Sequence, residues 1–109
     1  MIRAGSRAAT RTVMVHVQSW DTQAPARAGF VVGRSVGGSV VRHRVTRQLR
    51  NLMAEHLQGL QSGTDVVVRS LPTADESAGA ELAGDLSSGV SRAMSRLGHE
   101  VGTPRKVSP

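Results

Sequence analysis

Two hydrophobic periods run along the chain. Within residues 12–18, Val13, Val15 and Val17 alternate with Met14 and His16, the two-residue period of a strand with one covered face. Residues 27–32 (Arg27, Ala28, Gly29, Phe30, Val31, Val32) read as a second strand. The eight residues between them, 19–26, are too few for a crossover and predict an antiparallel pair. The period then changes. At ~100° per residue, Val41, Val45, Leu49, Leu52 and Leu60 gather on one side of a helix, with Met53 at its margin. That helix is expected from Val40 to Leu57 or Gln58, with Ser39 as N-cap and Gly59 or Gly63 at its end. Val66, Val67 and Val68 form a short apolar run over residues 64–70, the pattern of a buried central strand. Leu82, Leu86, Val90, Met94 and Leu97 recur at three- and four-residue spacing and predict a second helix over residues 77–97, capped by Ser77. Gly84 and Gly89 each weaken that helix by roughly 1 kcal/mol relative to alanine. Residues 1–11 show no period and are expected to be a basic arm. Residues 98–109 are expected to be a disordered tail, leaving one domain over 12–97.

Charge sharpens this picture. The first fifty residues hold nine arginines and a single acid, Asp21. The rest holds Arg69, Arg92, Arg96, Arg105 and Lys106 against seven acids, so the net +6 is concentrated in the first half. A localised positive field is the footprint of a nucleic-acid binder. Thirteen arginines to one lysine favours bidentate phosphate contacts, although a GC-rich genome yields the same ratio. The first helix carries the densest part of that charge. Arg42, His43, Thr46, Arg47 and Arg50 flank its apolar stripe, and Arg44 lies further round. A solvated helix normally mixes acids with bases at four-residue spacing. Here no acid occurs between Asp21 and Glu55, so none stands at three- or four-residue spacing from these arginines.

Other chemistry is excluded or weak. Cysteine is absent, which rules out disulfides, thiol nucleophiles and thiolate metal sites and fits a cytoplasmic protein. No apolar run approaches the ~20 residues of a membrane span, and no signal-peptide core follows the basic start. No carboxylates pair at a catalytic spacing, and no histidines pair at metal-site spacing. His16 reads as a half-exposed strand residue. Trp20 and Phe30 are the only aromatics, too few for a base-stacking platform. Gly33, Gly37 and Gly38 flank the turn into the first helix, but no Gly-Lys-Ser/Thr follows, so they are not a phosphate loop. They let the backbone turn, and the exposed N–H groups beside a helix N-terminus suit an RNA phosphate. The chain thus reads as a binder of phosphate backbone and nucleic-acid shape, not an autonomous enzyme.

The central stretch resembles the signature of the bacterial ribonuclease P protein component. It runs Val32-Gly33-Arg34, then Val36-Gly37-Gly38-Ser39-Val40-Val41, then Arg42-His43-Arg44-Val45-Thr46-Arg47-Gln48-Leu49-Arg50, with residues 63–69 similar to the family's following strand. The resemblance implies an α/β (α+β) two-layer sandwich. A small mixed sheet is packed by the Arg-rich helix, in a left-handed βαβ crossover, and by a C-terminal helix. It implies a subunit that joins a catalytic RNA and precursor tRNA, and a ribonucleoprotein that removes the tRNA 5′ leader. Catalysis would belong to the RNA and its Mg²⁺ ions. The RNA-facing residues would be Arg34, Gly37, Gly38, Arg42, His43, Arg44, Thr46, Arg47 and Arg50, and a cleft on the sheet face, at Val13, Val15 and Phe30, would hold the leader. His43, Thr46 and Gly38 stand where the family has asparagine and two lysines. The family's first helix, which walls the leader cleft, finds no match in residues 1–11, so a cleft open on one side is expected.

Other readings are a general RNA- or DNA-binding module on the same fold and a ribosomal-type structural protein. A helix-turn-helix reader is disfavoured, since no second short helix precedes the basic one.

Overall fold

A computed structural model describes residues 2–72 and 79–101. The elements in chain order are β1 (Ile2–Ala9), β2 (Val13–Trp20), β3 (Arg27–Val31), α1 (Ser39–Gln58), β4 (Thr64–Ser70) and α2 (Gly79–Val101). The strands form one mixed sheet in the order β1-β2-β4-β3. β2 is antiparallel to both β1 and β4, and β3 is parallel to β4, so α1 is the crossover between two parallel neighbours. This is the two-layer α+β arrangement that the resemblance implied.

Both helices lie on one face of the sheet. Val13, Val15, Val17, Val66 and Val68 point into that layer, and each is at most 1% exposed. Val45, Leu49 and Met53 of α1 and Leu82, Leu86, Val90, Ala93 and Leu97 of α2 close over them. Burying each of these strand valines stabilises the fold by about 1.5–3 kcal/mol before chain entropy is counted. Met53 sits at the centre of the covered stripe, while Leu52 is only half-buried, so the stripe is turned slightly from the wheel's expectation.

Four expectations are corrected. The basic arm is strand β1. Five of its eight residues are alanine, glycine or serine, which hid the strand, and the small Ser6 lets α2 come close: its Oγ donates to the Ala93 carbonyl at 2.5 Å. β2 and β3 run antiparallel but are not neighbours, because β4 inserts between them. Ser39 is the first helical residue and Gly38 the N-cap, without a side-chain hydrogen bond to the helix end. α2 continues to Val101, four residues into the expected tail. The Ser77 cap and residues 102–109 lie outside the described residues.

Two contacts fix the β1–β2 turn onto α2. Asp85 accepts from Thr12 Oγ1 at 2.7 Å and from the Thr12 amide at 3.2 Å, and Arg11 pairs with Glu81. Gly63, at φ 85°, tucks the start of β4 against the 19–26 loop. A Cβ there would lie 2.5 Å from the Trp20 carbonyl oxygen, so only glycine fits.

Candidate nucleic-acid interface

The turn into α1 is held by backbone bonds from Val36 N–H to the Gly33 carbonyl and from Gly37 N–H to the Arg34 carbonyl, both 3.1 Å. Val36 is buried and anchors the turn to the core. Gly37 adopts φ 157°, and a Cβ there would lie 2.9 Å from the Val41 side chain, so the turn packs directly on the helix. Gly38 is different: nothing lies within 4 Å of where its Cβ would be. Its exposed backbone leaves room for a ligand's close approach beside the helix N-terminus, whose partial positive charge is offset by no first-turn acid.

Beyond the turn, α1 divides its charge between two aspects. His43, Thr46, Arg47 and Arg50 line a depression of about 290 Å³, wide enough for a phosphate group and its ester oxygens. His43, Arg47 and Arg50 are exposed, and Arg42 is half-buried beside them with its Nε enclosed by packing. Thr46 spends its hydroxyl proton on the Arg42 carbonyl at 2.8 Å, which leaves it an acceptor rather than a donor toward a phosphate. Arg44 is exposed on the other aspect, and Arg34 is exposed in the turn. Among the described residues no acidic side chain pairs with Arg42, Arg47 or Arg50. The ion pairs seen, Arg11–Glu81 and Arg27–Asp65, lie on other elements. Arg27 is bound at Nε and Nη2 by Asp65, and that hydrogen bond and charge raise its pKa above the usual guanidinium value.

Among the described residues, no element covers the sheet face away from the helices, and it is called the open face. Its side chains align in rungs across all four strands: Arg7, His16, Val67 and Gly29 in one, and Ala9, Met14, Arg69 and Val31 in the next. Val31 and Val67 are each 39% exposed there. Gly29 has nothing within 4 Å of a Cβ position, so the floor dips beside Val67. The result is a shallow surface, apolar in the middle and cationic at Arg7 and Arg69.

The Ribonuclease P family model matches residues 1–94, nearly the whole of the chain. This chain belongs to the ribonuclease P protein family. A ribonuclease P protein component from Nocardioides sp. is 45% identical over 102 residues, covering 92% of this chain and 84% of that one. Another from Streptomyces bikiniensis is 42% identical over 101 residues, covering 85% and 82%. The fold is similar to that of the Staphylococcus aureus RNase P protein, with a TM-score of 0.74 at 20% identity over 82% of this chain and 81% of that one. The Thermotoga maritima RNase P protein gives 0.66 at 19% identity over 77% and 79%.

The family match starts at residue 1, so β1 lies within the ribonuclease P frame and widens the sheet by one strand. Of the residues expected to face RNA, the structure brings His43, Thr46, Arg47 and Arg50 around one depression, with Arg42 adjoining. Arg44 stands apart on the helix, and Arg34, Gly37 and Gly38 lie in the turn. The expected leader cleft is a different matter. Val13 and Val15 are fully buried, and Phe30 packs on the same core from β3, so none of the three lines an open cleft. A Cβ at Gly89 of α2 would lie 2.7 Å from Val15 Cγ2, which shows how tightly that face is covered. The side chains that reach solvent on this sheet lie on the opposite face, among them Arg7, Met14, His16, Val67 and Arg69. The alternation at residues 13–17 held the signal, since three successive valines mark the covered side.

Proposed function

We propose that this chain acts as the protein subunit of ribonuclease P, binding the catalytic RNA through α1 and the 5′ leader of precursor tRNA on the open sheet face. The observation that carries the reading is the acid-free arginine face of α1, set beside a glycine turn whose backbone is open to close approach. Guanidinium groups at Arg42, Arg47 and Arg50 stand on successive turns of one rigid helix and meet phosphates without first breaking an ion pair. Family membership supplies the assembly, and the open face supplies a surface four strands wide for a single strand. The face is poor in aromatics, so leader binding there rests on phosphate contacts and shape more than on stacking.

The chain's part is to bind and position, while hydrolysis of the leader's phosphodiester belongs to the RNA. Mg²⁺, held by that RNA, would supply the activated water and stabilise the leaving oxygen. Among the described residues no three acidic or histidine side chains come together as a metal site. A cytoplasmic setting, where precursor tRNA is matured, is part of the proposal; no described helix is long and apolar enough to cross a membrane.

Reconstitution tests this. At Mg²⁺ too low for the RNA alone, adding the chain to a matching catalytic RNA is expected to restore cleavage of precursor tRNA at the mature 5′ end. If the chain binds that RNA no better than unrelated structured RNA and stimulates no cleavage, it is a general RNA-binding module and the proposal fails.

A further inference from the structure

A second group of cations lies along β1, at the sheet edge opposite β3. β1 is an edge strand, and its outward carbonyls would ordinarily face water or another strand. Two α2 arginines hold them instead. Arg92 Nη2 donates to the Ala9 carbonyl at 2.7 Å, and Arg96 Nη1 donates to the Arg7 carbonyl at 2.5 Å. The spacing fits because four residues of helix rise about 6 Å and two residues of strand about 6.8 Å. Each guanidinium carries five N–H donors, so one bond to a carbonyl fixes its position and leaves most donors and the whole charge unspent. Among the described residues neither arginine, nor Arg7, is paired with an acid, and all three are exposed. Arg7 and Arg96 also line, with His16 and Gln18, a depression of about 440 Å³ that joins this rim to the open sheet face. Three unpaired arginines, two of them locked in register, are more than an edge cap requires.

We propose that the β1 rim, formed by Arg7, Arg92 and Arg96, is a second phosphate-binding track that takes the backbone of single-stranded RNA leaving the open face of the sheet. Arg92 and Arg96 offer their charge at a repeat of the same order as that of a nucleotide backbone, and their tether to β1 removes much of the entropy cost of ordering them. Arg7 bridges rim and face, because its rung partner on β2 is His16. The track runs along the β1 edge, whereas α1 packs on β3 at the other edge. It therefore adds contacts only to RNA long enough to cross, which is the leader's outer part and not the catalytic RNA bound at α1. This inference rests on the assignment of the leader to the open face.

The test uses the reconstituted holoenzyme and precursor tRNAs whose leaders are lengthened one nucleotide at a time. Wild type is expected to gain affinity in two stages, the first as the leader covers the open face and the second as it reaches the rim. The double variant Arg92→Gln, Arg96→Gln is expected to lose the second stage alone. With two phosphate contacts removed, its log–log salt slope for long leaders should flatten by about 1.4. Short-leader affinity and binding to the catalytic RNA should stay at wild-type values. The same pair changed to lysine guards against a folding artefact: it keeps both charges but loses the guanidinium fork, and it should retain part of the second stage. Wild-type dependence on leader length with no second stage, or with a second stage that both variants keep, overturns the rim. An equal loss for short and long leaders also overturns it. Absence of any leader dependence in wild type overturns the open-face assignment as well.

Discussion

Two glycines of α2 look alike in sequence and differ in the fold, and their alanine variants should move stability in opposite directions. Gly84 is exposed, with nothing within 4 Å of a Cβ position. Gly84→Ala then gains only helix propensity, about 0.5–1 kcal/mol. Gly89 is buried where α2 crosses β2, and an added Cβ would lie 2.7 Å from Val15 Cγ2 and 3.7 Å from Thr10 Cγ2. Val15 is wholly buried among its neighbours and has no room to move aside. The overpacking costs about 2 kcal/mol, within the usual 1–3, and the same propensity gain offsets about half of it. Gly89→Ala should thus destabilise by about 1 kcal/mol, leaving the two variants about 2 kcal/mol apart. For a domain of this size that separates their Tm values by about 10 °C. Thermal and urea unfolding followed by circular dichroism measure both. If the variants are stabilised alike, α2 does not approach β2 at Gly89 and the packing described for the buried face is wrong.

Asp85→Ala removes both bonds to Thr12 and strands a buried hydroxyl, so it should lower unfolding free energy by about 2 kcal/mol, with Asp85→Asn recovering part of the loss in the same urea titration. Val67→Asp changes a residue on the open face and should shift stability by no more than about 0.5 kcal/mol. It should nevertheless weaken the preference for precursor over mature tRNA in competition binding, leaving affinity for the catalytic RNA intact. Equal binding of both tRNAs by wild type and variant would remove the leader from this face.

Much of this fold was legible because each element carries its own period. Val13, Val15 and Val17 declared a strand, and Val45 with Leu49 declared a helix. The acid-free run of arginines declared the charged face of that helix before any contact was known. What escaped was set by tertiary contacts. Residues 4–6, 8 and 9 are alanine, glycine or serine and give no strand pattern, and residues 2–9 form β1 because β2 offers an unpaired edge and α2 packs onto it. The insertion of β4 between β2 and β3 depends on which edge the crossover reaches, and no local pattern records that. The leader cleft was misplaced for a related reason: alternation separates two faces of a strand, and only the helices show which one is covered. Thr46 and Arg42 share a bond that spacing alone permits but does not require. The rim arginines, Arg92 and Arg96, stood at helical spacing in the sequence, yet their meaning depended on the strand that they hold.

The central claim is that α1 binds RNA through phosphates, and the salt dependence of affinity tests it most directly. Arg42, Arg44, Arg47 and Arg50 meeting about four phosphates give a slope of log K against log salt of roughly −3 to −4. The variant with Arg42, Arg47 and Arg50 all changed to glutamine, checked for an unaltered circular dichroism spectrum, should flatten that slope by about 2–3 on the catalytic RNA. A folded triple variant with the wild-type slope would place the RNA contacts elsewhere on the molecule and contradict the account.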